Sequence, residues 1–416
     1  MPSPPVRHAS PLRGAARLAT DATAGLADLV EAVHERITHL PGLNSAQLDG
    51  RTRGITGLVY KSIRGVTRLA GGSLDALLGV LAPVLQPGHD AGHQAAPRRE
   101  REALVAALNG VLGDHLAASS NPLAITMTFR HEGRALPISP VGLAAALPGA
   151  GTKLLVLVHG LCMGDLQWLR GGHDHGLALA RELGFTPVHL HYNSGRHISS
   201  NGRDFAGQLE ALLNAWPQPL DRLVMMGHSM GALVARSALH HAALAGHTWP
   251  AKLGDLVFLG APHFGAPLER AGNWIDTLLG ASPYTAPFAR LGKLRSAGIT
   301  DLRHAYLVDE DWLGRDRFAR ATDRRQPLPS PVPVPLPSGV RCFAAGATLG
   351  AKSGDFKDRL LGDGLVLLDS ALGRHPDPAR ALQLPAEHQW VGYGMGHLDL
   401  LNRPEVTARI QSWLAR

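Results

Sequence analysis

The stretch RLVMMGHSMGALVAR, residues 222–236, decides the fold of this chain. Its first half is a short apolar run that predicts a buried strand, and its second half begins a helical run. Gly227 and Gly231 flank Ser229 and leave the room that a sharp strand-to-helix turn requires. Because 48 glycines in 416 residues make a chance match easy, the prediction of a nucleophilic serine depends on this strand-to-helix setting.

Strands and helices alternate on both sides of that stretch. The predicted strands are residues 154–158, 187–191, 222–226, 253–259 and 340–345, and the predicted helices are 177–183, 203–216, 230–245 and a last helix that begins at Pro404. Such alternation predicts a mostly parallel sheet that helices cover on both faces. Residues 123–129 alternate like a half-buried strand, so we place the start of this domain at residue 121.

The other segments differ from this pattern in composition. At 416 residues, we expect one large domain, residues 121–416, with an accessory segment. We predict a flexible tail, a helical extension with a linker, a lid-like insertion and a proline-rich connector at residues 1–20, 21–120, 264–323 and 327–337. The last two of these segments lie inside the large domain.

The net charge of +7 permits contact with acidic lipid headgroups. Basic and apolar residues interleave between residues 51 and 68, which fits either a solvated face of a helical cap or peripheral contact with a membrane. No compact Lys/Arg run or zinc-finger spacing is present, so we predict no nucleic-acid partner. The most apolar stretch, residues 69–85, contains Asp75 and Pro83, and we predict that it does not span a bilayer.

The amino-terminal sequence and the cysteines indicate a cellular compartment. Residues 1–7 lack a basic region followed by an apolar one, so we predict no secretory signal and a cytoplasmic location. Cys162 and Cys342 are the two cysteines, which excludes a disulfide framework and leaves a single bond open.

A serine nucleophile needs an imidazole base, and a carboxylate holds that imidazole in the required tautomer. Downstream of Ser229, Asp363 lies between two glycines in a loop, and His397 lies among glycines just before the last helix. We predict these two residues as the acid and the base. The alternatives are Asp355 and Asp369 for the acid and His388 for the base.

An oxyanion hole needs two backbone amides that point at the developing negative charge. We predict the amide of Met230, directly after the nucleophile, as the first donor. Leu161 is the predicted second donor, because the sequence His159-Gly160-Leu161 follows a buried strand and the glycine lets the chain bend.

Two histidine pairs invite a metal interpretation. His173 and His175, like His189 and His191, occupy alternate positions and would share one face of a strand. Neither pair shows the wider ligand spacing of a zinc motif, so we predict no metal and no cofactor.

Five motifs occur in a fixed order along residues 121–416. They are Val158-His159-Gly160-Leu161, Gly227-His228-Ser229-Met230-Gly231, Leu259-Gly260-Ala261-Pro262-His263-Phe264-Gly265-Ala266-Pro267, Gly362-Asp363-Gly364-Leu365-Val366 and Gly396-His397-Leu398-Asp399-Leu400. The region resembles bacterial esterase/lipase proteins of the α/β-hydrolase superfamily, which are related to bacterial triacylglycerol lipases and to lipases similar to GPI inositol-deacylases.

That resemblance implies the α/β-hydrolase fold and hydrolysis of lipid or other carboxylic esters without a cofactor. It also implies the triad Ser229, Asp363 and His397. Secreted lipases of this kind carry export signals, and the present sequence shows none, which argues against extracellular fat digestion. Two further enzyme functions fit the same chemistry, namely an acyltransferase and a depolymerase of intracellular polyesters. A membrane-associated protein that keeps the fold without the activity is the alternative outside enzymes.

Overall fold

The structure of the protein is a computed structural model that describes residues 95–265, 296–314, 330–354 and 361–415. The predicted tail, the extension up to residue 94, and residues 266–295 and 315–323 of the predicted insertion lie outside the described residues. Within the described ranges, no helix combines the length and apolarity that a bilayer crossing requires.

An eight-stranded sheet forms the centre of the molecule. Its strands are β1 (Thr128–His131), β2 (Arg134–Ala135), β3 (Lys153–Val158), β4 (Thr186–His191), β5 (Arg222–His228), β6 (Leu253–Leu259), β7 (Arg341–Thr348) and β8 (Gln389–Tyr393). They lie in the order β2-β1-β4-β3-β5-β6-β7-β8. Strand β1 is antiparallel to both of its neighbours, whereas the pairings from β4 to β8 are parallel.

Helices cover both faces of this sheet. They are α1 (Ala95–Ala118), α2 (Pro140–Ala146), α3 (His175–Leu183), α4 (Ile198–Asn214), α5 (Met230–Ala245), α6 (Ala297–His304), α7 (Leu368–Ala371) and α8 (Pro404–Leu414). Side chains of β3 alternate between two apolar cores: Leu154, Val156 and Val158 pack with α1, α4 and α5, while Leu155 and Leu157 pack with α3 and α8. The predicted α/β-hydrolase fold is confirmed.

The chain crosses from one side of β3 to the other at a single point. Strand β4 follows β3 in sequence and lies on one side of it, and β5 lies on its other side. The register places Val158 opposite Gly227 and His228 opposite Leu259, so β3, β5 and β6 end together. In parallel sheets this crossing point opens a crevice at the carboxyl ends of the strands, where ligands bind. We call this side of the sheet the carboxyl edge.

Two predicted elements have different bounds in the structure. The strand predicted over residues 123–129 begins only at Thr128. The Asn109 side chain donates to the Leu123 carbonyl oxygen at 2.8 Å and accepts from the Ile125 amide at 2.9 Å, so these backbone groups pair with α1. Helix α4 begins at Ile198 instead of residue 203, because an Asp301 carboxylate oxygen accepts the Ile198 amide at 2.8 Å and caps the helix.

Helix α1 is part of the predicted extension, yet it packs into the core beside β3. Its buried residues Leu104, Leu108 and Val111 belong to the same apolar cluster as the α4 and α5 side chains. Gly110 allows the closest approach, since a Cβ there would lie 2.2 Å from Cys162 Sγ and 2.9 Å from the Cys162 backbone nitrogen. The domain boundary at residue 121 stays a prediction.

Candidate active site

Ser229 lies on the turn between β5 and α5 in a rare backbone conformation. Its φ of 53° and ψ of −124° place a non-glycine residue at positive φ, which the surrounding structure must enforce. The Ser229 amide donates to the Leu259 carbonyl oxygen at 2.8 Å. A Cβ on Gly227 would lie 2.5 Å from Ala232 N, and one on Gly231 would lie 2.2 Å from Val158 O. The turn therefore requires glycine at both positions.

Asp363 and His397 meet although 34 residues separate them. The Asp363 carboxylate accepts a hydrogen bond from His397 Nδ1 at 2.7 Å, and the two side chains are 0% and 3% exposed. The second carboxylate oxygen of Asp363 accepts the amides of Leu365 at 2.9 Å and Val366 at 2.7 Å. Because the carboxylate takes the Nδ1 hydrogen, His397 Nε2 carries a lone pair and is the basic nitrogen of the ring.

The end of β6 connects the serine and the histidine. Leu259 accepts the Ser229 amide, and the next residue, Gly260, lies under the His397 ring, where a Cβ would be 3.0 Å from Cε1. Among the described residues, His397 Nε2 has no hydrogen-bond partner, and the Ser229 hydroxyl is thus not bonded to it. Catalytic hydrogen bonds are often long in the absence of substrate, so this geometry is compatible with a serine–histidine pair.

The segment after β3 brings the backbone amide of Leu161 close to Ser229, in addition to the amide of Met230. A Cβ on Gly160 would lie 3.2 Å from Ser229 Cβ, which measures how closely this segment approaches the turn. Within the described part of the chain, the amides of Leu161 and Met230 have no acceptor. The next amide, that of Cys162, donates to Ser194 Oγ at 3.0 Å. Two amides are therefore available beside Ser229.

A buried, neutral histidine, His159, helps to hold the segment after β3 in place. His159 is fully buried, stacks on Tyr192 with ring centroids 4.2 Å apart, and its Nδ1 contacts the Gly160 carbonyl oxygen at 2.8 Å. The Tyr192 hydroxyl donates to the His159 carbonyl oxygen at 2.8 Å. Burial lowers the pKa of His159 to about 3, so the ring is uncharged at neutral pH. The segment is held by hydrogen bonds and stacking, without a charge beside the amides.

The other candidates for the acid and base lie elsewhere. His388 Nδ1 contacts the Cys342 carbonyl oxygen at 3.1 Å. The Asp369 side chain is 76% exposed and lies 4.0 Å from Arg374. Asp355 lies outside the described residues. Of the candidates for the acid and the base that the structure describes, it brings Asp363 and His397 together.

The histidine pairs and the cysteines have protein contacts of their own. His173 and His175 both contact the Thr407 hydroxyl, at 2.8 and 3.1 Å. His191 Nδ1 lies 3.2 Å from an Asp165 carboxylate oxygen. Both cysteines are free and buried, so the single disulfide that the sequence left open does not form.

Three neighbours of the site were not predicted from the sequence. Ser194 accepts the Cys162 amide, Gly110 of α1 packs against Cys162, and the buried His228 contacts the His397 carbonyl oxygen through Nε2 at 3.3 Å. Burial and the nearby His397 keep the pKa of His228 well below its usual range. The sequence offered a signal only for Gly110, because a glycine inside an apolar helix often marks a place where another part of the chain approaches closely.

One family model matches part of this chain, and several solved structures are similar to it. Residues 203–326 match the family model of the PGAP1-like alpha/beta domain, a range that includes Ser229 and ends before Asp363. No curated protein sequence matches the chain. Among solved structures, the mature lipase BlEst2 of Bacillus licheniformis is similar at 18% identity and a TM-score of 0.37, over 63% of this chain and 91% of that one. The Pyrococcus furiosus esterase Pf2001 is similar at 14% identity and a TM-score of 0.38, over 64% and 82% of the two chains.

A third solved structure, a hormone-sensitive lipase from a metagenome library, has 17% identity and a TM-score of 0.37. The alignment covers 64% of this chain and 77% of that chain.

Proposed function

We propose that this protein is a carboxylic-ester hydrolase, an esterase or lipase, with Ser229 as nucleophile, His397 as base and Asp363 as the acid that orients it. The observation that carries the proposal is the buried 2.7 Å hydrogen bond between Asp363 and His397 Nδ1. The end of β6 contacts both this pair and the strained Ser229, through Gly260 and the Leu259 carbonyl oxygen. In this proposal the catalytic domain spans residues 121–416, with residues 264–323 as a lid-like insertion and 327–337 as a connector.

The first half of the proposed reaction forms an acyl-enzyme. His397 Nε2 takes the hydroxyl proton as Ser229 Oγ attacks the ester carbonyl carbon. The carbonyl oxygen becomes an oxyanion and accepts hydrogen bonds from the Leu161 and Met230 amides. When the tetrahedral intermediate collapses, the carbon–oxygen bond to the alcohol breaks, and His397 gives its proton to the leaving alkoxide.

The second half releases the acid. A water molecule gives its proton to His397 Nε2 and attacks the acyl carbon, and the returning proton regenerates the Ser229 hydroxyl. Asp363 stays ionised throughout, stabilises the imidazolium and fixes its tautomer. Each turnover thus consumes one ester and one water and yields one alcohol and one carboxylic acid.

Labelling with a fluorophosphonate probe tests the nucleophile. We expect the wild-type protein to be labelled and Ser229→Ala to remain unlabelled, because the probe reacts with an activated serine hydroxyl. Ser412→Ala is the matched control, since Ser412 is an exposed serine on α8. Labelling of Ser229→Ala at the wild-type rate would show that the nucleophile is another residue.

An activity profile over acyl lengths, measured with p-nitrophenyl esters, defines the ester class. We expect hydrolysis of these esters and, for a lipase, a rise in rate when the substrate passes from monomers to a detergent or lipid interface. Competing alcohols in the same assay separate hydrolysis from acyl transfer, because a transferase forms new esters in place of the free acid.

A further inference from the structure

A cavity of about 370 Å³ lies between α5, the turn after β6, and the two segments 331–336 and 379–383. Its volume falls in the range of small-ligand sites. None of the five residues proposed for catalysis lines it. Arg236 of α5, two helical turns after Ser229, contributes to its wall.

Arg236 brings a buried positive charge to this cavity. Its side chain is 5% exposed. The guanidinium has five N–H groups, and within the described residues two find acceptors, the Val334 carbonyl oxygen and, at 3.3 Å, His263 Nδ1. Its Nε is buried without a partner, and no carboxylate of the described residues pairs with it. Burial accordingly lowers the pKa of Arg236 to about 10.

His263 adds a neutral donor next to the guanidinium. Because Arg236 donates to His263 Nδ1, the ring hydrogen of the neutral imidazole lies on Nε2. This Nε2 is buried and has no acceptor in the described part of the chain. Burial and the neighbouring Arg236 hold the pKa of His263 well below its usual range, so the ring stays neutral and keeps that one hydrogen. Unsatisfied buried donors of this kind cost free energy unless an acceptor reaches them.

Apart from Gln383, the side chains in the rest of the wall are apolar or positively charged. Arg380 is half-buried and adds a second guanidinium, and the described lining contains no aspartate or glutamate. Leu307, Leu336 and Leu382 line the same cavity, together with prolines of the connector. The donors therefore favour an anion, and the leucines favour an anion with an apolar body.

We propose that this cavity binds an organic carboxylate with an aliphatic chain. The carboxylate oxygens accept hydrogen bonds from the Arg236 guanidinium, Arg380 neutralises charge at the rim, and the chain packs against the leucines. Such acids are also the products of ester hydrolysis, so a role as a product site rests on the proposed function, whereas the binding site itself does not.

Calorimetric titration with octanoate, and with octanol as an uncharged ligand of equal length, tests the site. We expect saturable binding of octanoate to the wild-type protein and at least tenfold weaker binding of octanol, which carries no charge for the guanidinium groups. Arg380→Gln should weaken octanoate binding about tenfold, and Arg236→Gln should abolish it. Arg409→Gln is the matched control, because Arg409 is half-buried on α8 and does not line the cavity.

Equal affinity for octanol, or unchanged octanoate affinity in Arg380→Gln, would overturn the proposal. If octanoate binds at the Ser229 site instead, its affinity would be unchanged in both arginine variants. That result would also overturn the proposal. If Arg236→Gln does not fold, Arg380→Gln decides the outcome, and unchanged octanoate affinity in that variant overturns the site. A third titration uses inorganic phosphate. Binding of phosphate without binding of octanoate would also contradict the proposal of an organic carboxylate site.

The two proposals fail in different ways. Equilibrium binding of octanoate needs no turnover, so a protein that Ser229 probes leave unlabelled can still bind octanoate. Loss of octanoate binding in a protein that hydrolyses esters would remove only the carboxylate site.

Discussion

The two edges of the central sheet differ in whether their buried titratable groups have a partner of opposite charge beside the strands. At the amino edge, where the parallel strands begin, Asp255 of β6 is fully buried and lies 2.7 Å from an Arg222 nitrogen and 2.6 Å from an Arg341 nitrogen. At the carboxyl edge, His397 Nε2 and His228 Nδ1 are buried without partners among the described residues. The paired charges hold three neighbouring strands together, and the unpaired nitrogens lie beside the proposed nucleophile.

This difference indicates a division of labour within one sheet. A buried carboxylate with two guanidinium partners stabilises the fold only while the carboxylate and its partners all keep their charges. A buried imidazole nitrogen without a partner costs stability and remains available for proton transfer. Substitutions at the two edges should therefore separate catalysis from stability.

The largest effect is expected at the carboxyl edge. His397→Ala should lower kcat for a p-nitrophenyl ester by about 10⁴-fold or more, because the base and the proton donor are lost together. Asp363→Asn should lower it by about 10⁴-fold through the wrong tautomer. Steady-state kinetics measure both, and thermal unfolding should show that each variant stays folded. Wild-type turnover in either one would place the base or the acid elsewhere.

The next-largest effect is expected at the amino edge, where a substitution should lower stability and leave kcat nearly unchanged. Asp255→Asn should destabilise the protein by about 1.5–3 kcal/mol, since the half-buried guanidinium groups of Arg222 and Arg341 lose their charged hydrogen-bond partner. Urea unfolding measures this loss. Active-site titration with the fluorophosphonate probe then gives kcat per folded molecule, which should stay within about threefold of wild type. A large fall in kcat at unchanged stability would contradict the division.

Acid should weaken the fold through its buried neutral histidines. Burial lowers the pKa of His175 to about 4, and its Nε2 contacts the Leu400 carbonyl oxygen at 2.9 Å. Because the folded pKa lies below the unfolded value of 6.5, the stabilisation is present above pH 6.5 and is lost as the pH falls toward 4. The free energy of unfolding should drop by about 2 kcal/mol per such histidine between pH 7 and 5.

The control for this pH effect is His175→Gln, which keeps a hydrogen-bond donor without a titrating ring. Urea unfolding at pH 7 and pH 5 should show a smaller loss of stability in this variant than in the wild type. An equal loss would assign the pH dependence to other groups.

The smallest effect is expected at the proposed oxyanion donors, where only the backbone amide is used. Met230→Leu should change kcat by less than about threefold and stability by less than about 1.5 kcal/mol, because the amide stays and the volume is similar. Kinetics and urea unfolding check both values. A hundredfold fall in kcat would show that the Met230 side chain takes part.

The sequence predicted what depends on local periodicity. Helix α5 and strand β6 have the predicted bounds because a long apolar helix and a fully buried strand carry strong patterns. The order along the chain and the glycine-flanked loops led to the choice of Asp363 and His397, and the side chains of these two residues contact each other in the structure.

The sequence failed where one side chain replaces a backbone partner. Asn109 takes the bonds that a strand over residues 123–127 would have made, and Asp301 caps α4 from 103 residues away. The position of Arg236 also could not be predicted from the sequence, where it is an ordinary helix residue. Only the packing shows that its charge is buried beside a cavity. Contacts between distant segments leave no periodic signal in either one.

The close packing of Gly110 against Cys162 has a practical consequence for anyone who shortens this protein. Helix α1 supplies buried leucines to the core and, through Asn109, fixes the backbone at residues 123–125. A chain that begins at residue 121 lacks α1, so it would expose to water the apolar core that α1 covers and would free the segment that carries the Leu161 amide. Aggregation and a disordered segment around residue 161 are the expected result, so trimming from the amino terminus should stop before Ala95.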